Sequence, residues 1–155
     1  TEYSRAKTTG VRKIDYANSI VKKTIEIIDY FQPRVFFIES LQTGLLKEQD
    51  FMKDFDYYDV DYCKYGFEYR KRTRIWMGGY DQQGNILPRE ATNLKSWKPR
   101  PLCINDCNSM VGKRHKETAQ RLPCKGRWEE HRKKTQDELY RIPEELIYDI
   151  FSKIV

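Results

Sequence analysis

The stretch Arg34-Val35-Phe36-Phe37-Ile38-Glu39-Ser40 sets an acid at the end of an apolar run. Val, Phe and Ile in succession suit a strand buried on both faces. The carboxylate of Glu39 therefore stands either in water on the rim of a sheet or in a pocket where its chemistry is used. Further on, Arg70, Lys71, Arg72 and Arg74 crowd one short stretch, a density that suits phosphate better than a plain charged edge strand. A third group is Cys103, Cys107, His115, Cys124 and His131. It offers enough thiol and imidazole for a tetrahedral zinc ion, although the spacing is not that of a standard finger, and unpaired cysteines in a small core explain the same residues without metal. Cys63 stands apart from them. With a strand-like run before it and no histidine beside it, Cys63 reads as a buried core thiol in a strand rather than a nucleophile.

These groups need elements to hold them. Apolar residues at Ile14, Ala17, Ile20, Val21, Thr24, Ile25, Ile28 and Phe31 recur at helical spacing, with Lys22, Lys23, Glu26 and Asp29 on the other side, which predicts an amphipathic helix. Gln32-Pro33 ends it, because proline cannot continue the hydrogen-bond ladder. The chain then re-enters as the Val35–Ile38 strand, and helix, turn and buried strand together suggest an α/β unit with a parallel sheet. A short helix is expected over 47–55, an alternating strand over 58–63, and another strand over 72–77 that Gly78-Gly79 ends. Residues 80–134 hold no sustained period, yet Trp97, Leu102, Met110 and Trp128 need burial, so the segment reads as an irregular subdomain. Pro143-Glu144-Glu145 makes a good first helical turn, followed by an apolar face of Leu146, Ile147, Ile150 and Ile154.

The 155 residues suit one domain with a core of modest size. The formal net charge is +6 with a sequence pI of about 9.1. The excess is local: residues 93–134 hold twelve Lys and Arg against four acids, which points to a phosphate-bearing partner more than an even spread would. No apolar run is long enough to span a bilayer, and no membrane partner is expected. The four cysteines read as reduced or metal-bound, hence an intracellular protein. The first residue is Thr1, and further sequence is expected to precede it.

Three separated stretches, TEYS at 1–4, FFIES at 36–40 and YGFEYRKRTRIW at 65–76, resemble in order and spacing the C5-cytosine DNA methyltransferases. In that family a Pro-Cys-Gln-x-Phe-Ser loop carries the nucleophile, Glu-Asn-Val at a strand end holds the target base, and Tyr-Gly-x-x-Gln-x-Arg-x-Arg precedes another strand. The resemblance is closest to the phage-like and virus-like branch, whose loop reads Pro-Pro-Cys-Thr-Glu-Tyr-Ser. It covers most of residues 1–76 and the remainder more loosely. Two departures stand out: Ser40 replaces the usual Asn, and Leu41 replaces the Pro often found next.

The resemblance implies an α/β fold with a partial Rossmann-like sheet of the S-adenosylmethionine-dependent kind and a small irregular basic subdomain. It implies residues 1–79 as the C-terminal half of a catalytic domain, 80–134 as a target-recognition segment and 135–155 as a closing helix; if the Cys and His residues of 80–134 bind zinc, on Cys103, Cys107, His115 and Cys124, the metal would staple that segment. Glu39 would hydrogen-bond N3 and N4 of a flipped cytosine, which stabilises the ring once a thiolate has added at C6. Arg72 and Arg74 would clamp the base and its phosphate, a register slip of one residue putting Lys71 there instead. Ser4, Arg5, Lys7, Arg70 and Lys71 would follow the DNA backbone, and Tyr140 and Arg141 would close over S-adenosylmethionine. The nucleophilic cysteine is expected just before Thr1, with the cofactor loop further upstream. The partners implied are DNA and either an N-terminal half on another chain or the subunits of an assembly, in a host nucleus, cytoplasm or virion. An inactive homologue that kept DNA binding, and a relic with a structural role, are the competing readings.

Overall fold

The computed structural model describes residues 2–5, 7, 10–87, 97–118 and 136–154. Helix α1 covers Ile14–Phe31, the span predicted from its period. It ends where expected: Gln32 turns left-handed at φ 45° and its N–H bonds the Ile28 carbonyl at 2.9 Å before Pro33 leads away. The buried stripe is narrower than the sequence suggested. Ala17 is buried and Val21 and Ile25 pack inward, whereas Ile20, Thr24 and Phe31 face water, since only positions three, four or seven apart meet the sheet.

Strands β1 (Phe36–Leu41), β2 (Asp56–Asp61) and β3 (Arg72–Tyr80) form a sheet in the order β1-β3-β2, and β4 (Ile86–Leu87) pairs with the far end of β3. Every ladder described is antiparallel, which corrects the expectation of a parallel sheet. β1 and β2 do run in the same direction, but β3 lies between them and takes the hydrogen bonds of both. The arrangement is mixed α/β.

Strand alternation assigns the two faces. On one, Phe37, Tyr58, Val60, Ile75 and Met77 pack with Tyr62, Tyr65, Trp97, Leu146 and Ile150. On the other, Ile38 and Trp76 pack with Val21 and Ile25 of α1 and with Leu46 and Met52. The expected helix over 47–55 is instead two single 3₁₀ turns, Leu46–Glu48 and Asp50–Met52. Gly78-Gly79 does not end β3, which continues to Tyr80. Gly78 pairs with Phe36, and a Cβ there would stand 2.7 Å from Phe36 Cζ, so the glycine makes room for a ring.

Strand β2 stops at Asp61, and residues Tyr62–Tyr65 form a 3₁₀ turn. Cys63 therefore lies in that turn and not in a strand. The segment after β4 is held to the sheet by Trp97, whose Nε1–H donates to Asp149 at 3.0 Å and whose ring meets Tyr58 edge-on. Met110 is half-buried as expected, but Leu102 is exposed and Trp128 lies outside the described residues. A two-stranded hairpin follows, β5 (Met110–Val111) with β6 (Arg114–His115). Helix α2 (Gln136–Tyr140) and helix α3 (Glu144–Phe151) end the described chain. Pro143 sits at the N-cap of α3, Leu146 and Ile150 are buried, and Ile147, expected inside, is exposed. No described helix is long and apolar enough to cross a membrane.

Candidate functional site at the end of strand β1

Glu39 lies on the Ile75 face of the sheet, two residues before β1 ends. The residue is exposed overall, yet its side chain keeps only 30% of its area open because two groups lean on it. The Tyr62 hydroxyl donates to Oε1 at 2.9 Å, and Lys71 Nζ stands 3.5 Å from the same oxygen. Among the described residues both contacts go to Oε1. Burial, followed by the Glu39 charge and hydrogen bond, raises the Tyr62 phenol far above its ordinary range. Tyr62 thus stays a donor at every physiological pH. Lys71 is fixed by a hydrogen bond to the Leu139 carbonyl at 3.0 Å and lies 4.7 Å over the Tyr62 ring.

The three stretches singled out in the sequence meet at this end of β1. Gln42 donates its N–H to the Arg72 carbonyl at 3.1 Å, and Leu45 donates to the Tyr3 carbonyl at 2.9 Å. Tyr140 and Arg141 follow directly on the Leu139 that holds Lys71, and both are exposed. Residues far apart in the chain are thereby brought to one corner.

The arginines do not join Glu39. Alternation along β3 puts Arg72 and Arg74 on the α1 face, opposite Ile75 and Glu39. Arg74 makes a bidentate pair with Asp59 at 2.7 and 2.9 Å and stacks 3.6 Å over Tyr57. Its hydrogen bond to Asp59 raises its pKa further, against the effect of burial. Arg72 is exposed at the start of β3. Arg70, expected on phosphate, turns inward: its Nε and Nη2 bond both oxygens of Asp61, whose side chain is 0% exposed. The cation beside Glu39 is Lys71, the residue that a one-step slip of register selects. Near the N-terminus Arg5 pairs with Glu48, Lys7 pairs with Glu2 at 2.7 Å, and the Ser4 carbonyl accepts from Arg12 at 2.7 Å.

A second cluster lies beyond Asp61. The ligand atoms of Cys63, Cys103, Cys107 and His115 all lie within 4.8 Å of one another. Cys63 takes the place that the sequence reading gave to Cys124; Cys124 and His131 lie outside the described residues. All three described cysteines are buried and free of disulfides. Burial pushes the Cys63 thiol well up, helped by the neighbouring thiols. At Cys103 burial also pushes upward, but hydrogen bonds from the Asn105 backbone, Cys63, the Asp106 backbone and Cys107 outweigh it and lower the pKa. Burial, and next the Arg70 charge, keep the His115 imidazole below its usual range. The sequence reading missed Tyr62 and Asp61, and placed Cys63 among core thiols; the available signal was a cysteine two residues past the true strand end.

Fold and site together describe a mixed α/β unit that carries a supported carboxylate at a strand end, beside a thiol–imidazole cluster. Neither a protein-family model nor a solved structure matches the chain. A curated protein of Frog virus 3 (isolate Goorha), named "Probable DNA (cytosine-5)-methyltransferase", is 30% identical over 144 residues, which covers 86% of this chain and 56% of that protein. The resemblance read from the three motifs is borne out: the chain is related to the C5-cytosine DNA methyltransferases, and it spans little more than half the length of this relative.

Proposed function

We propose that these residues form the base-holding part of a DNA (cytosine-5-)-methyltransferase that transfers a methyl group from S-adenosylmethionine to C5 of cytosine. The observation that supports the reading is the carboxylate of Glu39 at the strand end, held by Tyr62 and by Lys71 of the third motif stretch, with the first stretch bonded to the loop that follows β1. Oε2 accepts the exocyclic amino hydrogen of a flipped cytosine, while Tyr62 and Lys71 hold Oε1 and fix the carboxylate plane. As a thiolate adds at C6 and electron density moves into the ring, a fixed carboxylate that hydrogen-bonds the N4 edge distinguishes cytosine from thymine, which has a carbonyl there. Lys71 in this reading supplies the positive charge beside the base that the resemblance gave to the Arg72 and Arg74 pair. Arg72, Arg5 and the basic residues of 93–134 contact phosphate, and Tyr140 and Arg141 close the cofactor side. The described cysteines are buried in their own cluster. In this reading the nucleophile and the S-adenosylmethionine loop are supplied from outside these residues, within the same polypeptide or from a partner subunit. The setting is intracellular.

In the complete protein, Glu39→Gln is expected to lower methyl transfer from labelled S-adenosylmethionine by about 10²–10³-fold. Duplex affinity by fluorescence anisotropy should hardly change. Unaltered turnover would reject the role of Glu39.

One observation favours a second reading, a catalytically inactive homologue that binds DNA or serves as a structural component. Arg74 is neutralised by Asp59 on the face away from Glu39. That reading predicts no methyl transfer by wild-type protein, with duplex binding whose affinity falls steeply as salt rises.

A further inference from the structure

The four-residue cluster joins three separate pieces of the fold. Cys63 comes from the turn after β2, Cys103 and Cys107 from the loop after Trp97, and His115 from β6. Cys103 Sγ stands 3.6 Å from His115 Nε2. A tetrahedral zinc ion with Zn–S of about 2.3 Å and Zn–N of about 2.0 Å puts sulfur and nitrogen about 3.5 Å apart, and two sulfurs about 3.8 Å apart. The largest separation in the cluster, 4.8 Å, exceeds that by about 1 Å. Small side-chain rotations close such a gap.

The surroundings fit a metal better than a thiol core. Met110 is the one partly buried apolar side chain packed against the three cysteines among the described residues. Asn105, two residues beyond Cys103, adopts a left-handed φ of 67°, which turns the loop sharply between Cys103 and Cys107. Asp61 accepts the Cys103 N–H at 2.9 Å, and this fixes the start of the loop. Three thiolates and a neutral imidazole on a divalent ion leave one net negative charge. Two cations lie close by: Arg70 shares Asp61 Oδ2 with the Cys103 N–H, and Lys64 pairs with Asp106, the residue before Cys107.

We propose that Cys63, Cys103, Cys107 and His115 bind one structural zinc ion, closed to water, that clips the irregular segment to the turn carrying Tyr62. Strands β5 and β6 have two residues each, too few to order that segment by hydrogen bonds alone. The clip also reaches the Glu39 site, because Cys63 is the neighbour of the tyrosine that orients the carboxylate. It does not depend on the methyltransferase reading, since its readouts are metal content and stability.

The protein, produced with zinc in the medium and purified under reducing conditions, should hold about one zinc per chain. Replacement by cobalt(II) should give the charge-transfer and d–d bands of a tetrahedral thiolate site. Cys63→Ser and His115→Ala should weaken zinc by more than about tenfold in chelator competition, while Cys124→Ser leaves it unchanged. If the ligand variants do not fold, the wild-type protein still decides: chelation must lower its melting temperature and zinc must restore it. The proposal is overturned by folded protein that carries no zinc and is indifferent to chelator. Loss of zinc in Cys124→Ser with retention in Cys63→Ser, or a disulfide within the cluster, would overturn it equally.

Discussion

Asp61→Asn isolates the joint on which both clusters turn. The Asp61 carboxylate is fully buried and accepts three bonds: Arg70 Nε on Oδ1 at 3.0 Å, and Arg70 Nη2 at 2.8 Å and the Cys103 N–H at 2.9 Å on Oδ2. An asparagine has one carbonyl oxygen. Set toward Oδ2 it keeps two bonds but turns its NH₂ on the Arg70 Nε–H, and set toward Oδ1 it faces two donors. At least one charge-assisted bond is lost, at about 1.5–3 kcal/mol. Stranding one partner of a buried ion pair costs about 3–5 kcal/mol, a cost that Arg70, still 26% exposed, softens by reaching water. We expect a loss of about 2–4 kcal/mol, or a fall in melting temperature of about 5–15 °C for a chain of this size. Urea unfolding followed by circular dichroism measures it. The double variant Asp61→Asn/Arg70→Met should recover part of the loss, because no guanidinium then faces the amide. An Asp61→Asn protein within about 0.5 kcal/mol of wild type, or a double variant as costly as the sum of the two single ones, would refute the account.

Gly78→Ala should destabilise by about 1–3 kcal/mol through overpacking, since the new Cβ meets a Phe36 ring already set edge-on against Phe55; Phe36→Leu in the same chain should relieve most of it in thermal unfolding. Tyr3, Tyr62, Tyr65, Tyr69 and Tyr80 all have raised pKa values, chiefly from burial, and Tyr80 is pushed up to about 12. An unfolded phenol ionises near pH 10, so the unfolded state loses protons first. The stabilisation from these phenols is then complete below about pH 10 and is lost as pH climbs through the folded-state values. Tyrosinate absorbance should show fewer ionised tyrosines in folded than in urea-unfolded protein above that pH, and equal titrations would contradict it. Tyr62→Phe in the complete protein should lower methyl transfer by about tenfold, the worth of one hydrogen bond to a charged group; a greater loss in duplex binding than in turnover would mean that Tyr62 does not act through Glu39.

The sequence by itself determined the elements whose signals are local. The limits of α1 follow from an unbroken 3.6-residue period and from Gln32-Pro33, and β1 follows from a run of Val, Phe and Ile too apolar for a surface. The order of the three motifs was equally legible, and with it the family. Tertiary structure alone decided which side chains share a face. Glu39 and Arg74 read as neighbours in a motif list, but pairing Glu39 with Ile75 puts the arginine on the other side of the sheet, and a one-residue change of register would reverse that. Likewise the partners of Asp61, Arg70 and Cys63 depend on where β2 stops, at Asp61 rather than Cys63. A strand end is set by its hydrogen bonds to a distant strand, and these leave no periodic trace in the residues themselves.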